Sequence, residues 1–132
     1  MTIIQNTVEI NKPVAEVYAF LADMNHHEQL MPENIEKWTS TADEARFTIK
    51  NMAKLSLRIS ERLENKELVS VPIEEAPFPL TLRWKLEPTS ENSTNATFVI
   101  EAGLNMMMKM MASGPLQKLV DFQVGKLKEV LG

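Results

Sequence analysis

The sequence contains no cysteine. That absence excludes a disulfide scaffold, a zinc–cysteine site, an iron–sulfur cluster and a cysteine nucleophile together. Glycine is scarce. Gly103, Gly114, Gly125 and Gly132 are the only four, too scattered to cradle a phosphate, and no nucleotide fingerprint or Ser/His/Asp order accompanies them. The two histidines, His26 and His27, are adjacent. Asp23 and Glu28 could add ligands, but nothing nearby has the spacing of a HExxH or facial-triad site. No metal, no cofactor and no catalytic residue is therefore expected. The histidine pair reads as a solvent-exposed loop. No stretch reaches ~18 uninterrupted apolar residues, so stable membrane insertion is not expected. Met1-Thr2-Ile3-Ile4-Gln5 lacks the basic start and apolar run of a signal peptide, which fits a cytoplasmic protein. A basic excess is missing too. The 14 basic and 18 acidic residues leave a net charge of −4, against nucleic acid as a partner, where a basic face is needed.

What remains is a strongly patterned chain. Its 132 residues fit one domain, residues 1–132, with a core that needs no staples. Ile4, Val8 and Ile10 share one parity and predict a first strand over about residues 3–10. Asn11 is placed to cap a helix, with Pro13 in its first turn. Val14, Val17, Tyr18 and Leu21 continue at helical spacing to about Asp23. His27 to Met31 add a short second helix that Pro32 ends. From Glu33 to Gly103 the period is two. Ala45, Phe47 and Ile49 form one apolar set, and Leu55, Leu57 and Ile59 another. Val69, Val71 and Ile73 are read the same way, as are Leu80, Leu82, Trp84 and Leu86, and then Ala96, Phe98, Ile100 and Ala102. One apolar and one polar face per strand indicates an antiparallel sheet wetted on one side. Ala76-Pro77-Phe78-Pro79 and Pro88 to Asn95, which holds two glycosylation-like triplets, read as turns.

From about Asn105 to Leu131 the spacing is helical again. Gly114-Pro115 interrupts it, and proline inside a helix costs ~3 kcal/mol. The expectation is a kink, or a fresh helix start capped by Ser113. The fold class that follows is α+β. A curved antiparallel sheet of about six or seven strands wraps a long C-terminal helix, with one or two short helices after the first strand. The sheet needs a cover, and only that helix is long enough. Space left between them is where a ligand would sit. An interior void of ~300 Å³ or more favours binding, and a solid core favours an interaction module.

Ile10-Asn11-Lys12-Pro13-Val14-Ala15-Glu16-Val17-Tyr18-Ala19-Phe20-Leu21-Ala22-Asp23 resembles the opening of the START-like, or SRPBCC, helix-grip superfamily. That pattern is a strand, a helix-starting proline, an apolar pair, an aromatic and then leucine-x-aspartate. Leu30 and Met31 stand where the family often has a tryptophan. The element order matches along the whole chain. The resemblance implies a cavity between sheet and helix for hydrophobic small molecules. Relatives range from polyketide cyclases and lipid-transfer domains to pollen-allergen-like carriers and chaperone-activating domains, and fold alone does not choose among them.

The inward parity supplies the expected wall: Phe47, Ile49, Leu55, Leu57 and Ile59, with Val69, Val71, Leu82, Trp84, Phe98 and Ile100. Tyr18 joins it from the first helix, and Met107 and Met111 from the last. Such walls select apolar ligands, because a buried polar group without a partner costs ~1–3 kcal/mol. Met106, Met107, Met108, Met110 and Met111 surround the helix on all sides. Flexible, polarizable thioethers suit an adaptable lid or a patch for a protein partner. The expected function is non-catalytic binding or transport of a small hydrophobic molecule by a monomer. Two alternatives stand beside it. One is a cyclase- or dehydratase-like enzyme using Glu61, Glu75, Tyr18 or a rim histidine; both glutamates face inward if no bulge shifts the register. The other is an interaction module built on the methionines.

Overall fold

The computed structural model describes residues 1–51 and 53–132. The order of elements is β1 (Thr2–Ile10), α1 (Val14–Leu21), a 3₁₀ helix (Met24–Leu30), β2 (Ile35–Ser40), β3 (Glu44–Ile49), β4 (Ala53–Leu63), β5 (Glu67–Pro72), β6 (Leu80–Ser90), β7 (Ser93–Ala102) and α2 (Met106–Leu131). The seven strands form one antiparallel sheet in the order β1-β7-β6-β5-β4-β3-β2. The two short helices carry the chain from one edge to the other, and a meander brings it back to β1. α2 lies across the concave face against β1, β7 and the 3₁₀ helix. This is a helix-grip fold.

The core consists of the concave side chains and one stripe of α2. Ile4 and Ile10 of β1, Leu80, Trp84 and Leu86 of β6, and Ala96, Phe98, Ile100 and Ala102 of β7 are all buried. They meet Ala112, Leu116, Val120, Val124 and Leu127. Those five burials explain why the fresh helix start expected after Gly114-Pro115 does not occur. Pro115 sits inside one continuous helix. It withholds a single N–H from the carbonyl four residues back, and burying each apolar side chain returns roughly 1–3 kcal/mol. Ser113 caps nothing, and its hydroxyl is buried without a partner. The cap is Asn105, whose side-chain oxygen accepts the Met108 N–H at 2.9 Å. Asn11 is not a cap either. Pro13 occupies the cap position of α1 with no side-chain bond, and the Asn11 backbone N–H donates to the Gly132 carbonyl at 3.1 Å. That bond ties the end of β1 to the end of α2.

Pairing register changes the reading of β5, and one bulge that of β4. Between Ile59 and Glu61 the register of β4 against β5 shifts by one residue. Leu68 stands opposite Trp84 and Ser70 opposite Leu82, so Leu68 and Ser70 face the interior. Val69 and Val71 lie on the convex side, contrary to the alternation drawn from Val69, Val71 and Ile73. Val69 is still buried. It lies in register between Glu61 and Arg83, and Arg83 bonds Glu101 at 2.9 Å and pairs with Glu67 at 3.6 Å. The bulge also turns Glu61 outward and brings Arg62 to the concave end. There Arg62 donates to the carbonyls of Ala22 and Ala42 and to Asp43, bracing the turn after α1.

The histidine pair is part of this brace rather than an exposed loop. His27 is 7% exposed, and its Nε2 bonds the Leu21 carbonyl at 2.8 Å. His26 stacks on Phe20 at 4.8 Å and bonds the Phe20 carbonyl. Together they close the end of α1 onto the 3₁₀ helix, whose first turn is capped by Asp23.

Two outcomes test this arrangement. Leu68→Ala is expected to cost about 2–4 kcal/mol in urea unfolding and Val71→Ala less than about 1 kcal/mol; equal losses would contradict the register. Burial holds His27 below its ordinary value of 6.5 against the opposing pull of the Leu21 bond. The unfolded chain then binds the extra proton, so stability from neutral His27 is complete above about pH 6.5 and lost as pH falls through the depressed folded value. His27→Gln keeps an N–H for Leu21 but does not titrate. Wild type should lose more stability between about pH 7.5 and 5.5 than this variant, and identical losses would clear His27 of the effect.

Candidate functional site

Sheet and helix pack so well that the interior keeps little room. The inner cavity measures about 40 Å³, a volume for about one water molecule and well below the threshold set for an open binding void. The larger space is at its mouth. A groove of about 700 Å³ runs along the first half of α2, between that helix, the β3–β4 turn and the β5–β6 loop. Ile49, Pro77, Phe78 and Leu119 line both spaces. They form a thin apolar partition rather than a wall.

The fold places the partition mechanically. β6 starts and β7 ends at the mouth, so the β5–β6 loop hangs over the opening. Gly103 anchors it: its N–H donates to the Pro79 carbonyl at 2.9 Å, and a Cβ there would stand 3.1 Å from the Pro79 ring. Phe78, one residue earlier, is turned inward and is 9% exposed. On the opposite side Met108, Met111, Ala112, Pro115, Leu119 and Phe122 follow one flank of α2. The far end is shut. α1 covers β6 and β7 there, and the buried Thr94 hydroxyl donates to the Lys12 carbonyl at 2.9 Å.

Of the residues expected on the wall, Phe47, Ile49, Leu55, Leu57, Leu82, Trp84, Phe98 and Ile100 line the inner cavity, and Met111 lines the groove. Five do not reach either space. Val69 and Val71 are on the convex face, in register with Glu61 and Arg58. Ile59 packs against the core beyond the cavity. Tyr18 sits half-buried on α1 at the closed end. Met107 is 71% exposed and points away from the groove. The carboxylates assigned to the enzyme alternative are also elsewhere. Glu61 faces out toward Arg83, and Glu75 lines a separate polar cleft with Lys37, Arg46 and Lys54.

Several lining residues escaped the sequence reading. Leu116, Leu119 and Gln123 line the cavity from α2 at helical spacing; Gln123 is polar and carries no apolar signal. Ser70 lies on the face of β5 opposite to Val69 and Val71, which only its pairing with Ile59 and Leu82 reveals. Phe78 lay inside what reads as a proline turn. Met24, His27 and Met31 come from the 3₁₀ segment, whose pitch gives no α-periodic signal.

The cavity is apolar with a few polar groups set into it. Trp38 stacks on Phe47 at 5.2 Å, and Trp84 on Phe98 at 4.7 Å. The Trp38 indole N–H donates to Ser40 at 3.0 Å. Gln123 is 2% exposed, and its amide donates to the Met31 sulfur at 3.5 Å, a weak acceptor. Trp84 Nε1 is buried with no partner. No Asp, Glu, Lys or Arg is on this wall among the described residues, nor do three or more His, Asp or Glu side chains converge as metal ligands. No described helix is long and apolar enough to cross a membrane.

Comparison with known proteins agrees with this geometry. The aromatase/cyclase ZhuI from Streptomyces sp. R1128 superposes with a TM-score of 0.74 at 12% identity, over 98% of this chain and 93% of its own. A START superfamily protein from Mycobacterium smegmatis gives 0.69 at 16% identity, over 97% and 98%. XoxI from Bacillus cereus gives 0.77 at 13%, over 99% and 96%. At such identities the likeness is one of fold. Curated protein sequences give no match. A family model does match, over residues 1–132, and it settles the family: the chain belongs to the polyketide cyclase/dehydrase and lipid transport family.

Proposed function

We propose that this protein is a non-catalytic carrier of a small hydrophobic molecule, held in the groove at the mouth and reaching inward past Phe78 and Leu119. The observation that carries the reading is the continuity of the two spaces. A groove of about 700 Å³ and an apolar interior share Ile49, Pro77, Phe78 and Leu119, so displacing two side chains joins them. Family membership supports a hydrophobic ligand. The groove has the size and apolar character of a small-molecule site. Met108 and Met111 give it a deformable edge, which suits loose shape selection.

A cyclase-type enzyme would need an acid/base pair inside. With Glu61, Glu75 and Tyr18 outside, His27 is the one titratable side chain on the cavity wall among the described residues. The exposure of Met106 at 82% and Met110 at 83% supports a second reading, an apolar patch for a protein partner.

Titration with lipids, sterols, flavonoids and polyketides, followed by tryptophan fluorescence and backbone amide shifts, tests the carrier. At least one compound should shift the amides of Phe78 and Leu119; no response across the panel would overturn it. Leu119→Lys should weaken that compound by about tenfold or more, because a buried charge is costly. Replacing Met106, Met107 and Met110 together by serine should leave its affinity within about twofold, since none of the three lines the groove. Loss of binding in the triple variant would favour the patch instead.

A further inference from the structure

A residue on the wall of the inner cavity, Trp84, carries a donor with nothing to bond. Trp84 is 3% exposed, its ring is fixed by stacking on Phe98, and its Nε1–H has no partner. A buried, unanswered N–H is uncommon, because the group gives up water and receives nothing in return. The other indole on this wall, Trp38, is satisfied by Ser40, so Trp84 carries the one unanswered indole of the cavity. An acceptor is available on the same wall. His27 bonds the Leu21 carbonyl through Nε2, so Nε2 carries the proton and Nδ1 of the neutral ring keeps its lone pair. No cation or carboxylate lines the cavity among the described residues, and an ionised group would enter it uncompensated.

We propose that the cavity receives the uncharged hydroxyl end of an apolar ligand, a phenol or an alcohol. Trp84 Nε1–H donates to its oxygen and His27 Nδ1 accepts its proton side. This deepens the carrier reading and rests on it. The apolar body lies in the groove, the hydroxyl passes the Phe78–Leu119 partition, and Trp84 is the residue that sets specificity. The inner volume of about 40 Å³ matches a single polar head rather than a whole ligand.

The test uses three probes of one shape, 2-naphthol, 2-methylnaphthalene and 2-naphthoate, titrated into the full chain by calorimetry and by ¹⁵N–¹H spectra of the indoles. 2-Naphthol is expected to bind about five- to tenfold tighter than 2-methylnaphthalene, the worth of one hydrogen bond. 2-Naphthoate should be the weakest of the three. The Trp84 indole proton should shift downfield with 2-naphthol and not with 2-methylnaphthalene, while the Trp38 indole stays put. Trp84→Phe should abolish the preference and leave 2-methylnaphthalene unchanged; the wild-type indole shift decides the matter if that variant does not fold. Equal affinities, a preference that survives Trp84→Phe, or an unmoved Trp84 indole would overturn the hydroxyl assignment and leave the carrier standing. Failure of all three probes to bind, in a protein that also ignores the wider panel, would remove both.

Discussion

Everything in this structure depends on covering the concave face of the sheet. Seven strands with an apolar inner face cannot remain open to water, and α2 is the one element long enough to lie across them. Its buried residues, from Ala112 to Leu127, keep the helix continuous through a proline that would end a solvent-exposed one. The same burial fixes the chain ends: the end of β1 is bonded to the end of α2 through Asn11 and Gly132. α1 and the 3₁₀ helix close the remaining edge.

The cover is tight at one end and loose at the other. At the closed end, Thr94, Arg62 and His27 bond backbone carbonyls of the crossover, so polar groups there are answered within the protein. At the mouth, the first turns of α2 extend past the core and carry exposed methionines. The β5–β6 loop is held by Pro79 and Gly103, and the side chains between the two spaces, Phe78 and Leu119 among them, are apolar.

The cavity follows the same logic on a smaller scale. Aromatic stacking holds Trp38 and Trp84 in place, and the register of β5 puts Ser70 rather than Val71 on the wall. The result is an apolar lining in which few polar groups remain and from which Asp, Glu, Lys and Arg are absent among the described residues.

The sequence by itself determined the element order, the inward faces of β1, β3, β6 and β7, and the family. Those properties are written as periods of two and of 3.6, which survive without knowledge of neighbours. The opening Ile10-to-Asp23 segment carried the resemblance that the family match bears out. Only the tertiary structure decided what depends on partners. Pairing with β4 and β6 set Leu68 and Ser70 rather than Val69 and Val71 inward, and the bulge at Ile59–Glu61 sent Glu61 outward, because register is a property of two strands. Burial on the sheet overrode Pro115. The 3₁₀ pitch brought His27 inward from a segment with no legible period. The space itself proved narrow inside and wide at the mouth, since volume is set by how side chains from six or more elements meet, and no single stretch of sequence contains that sum.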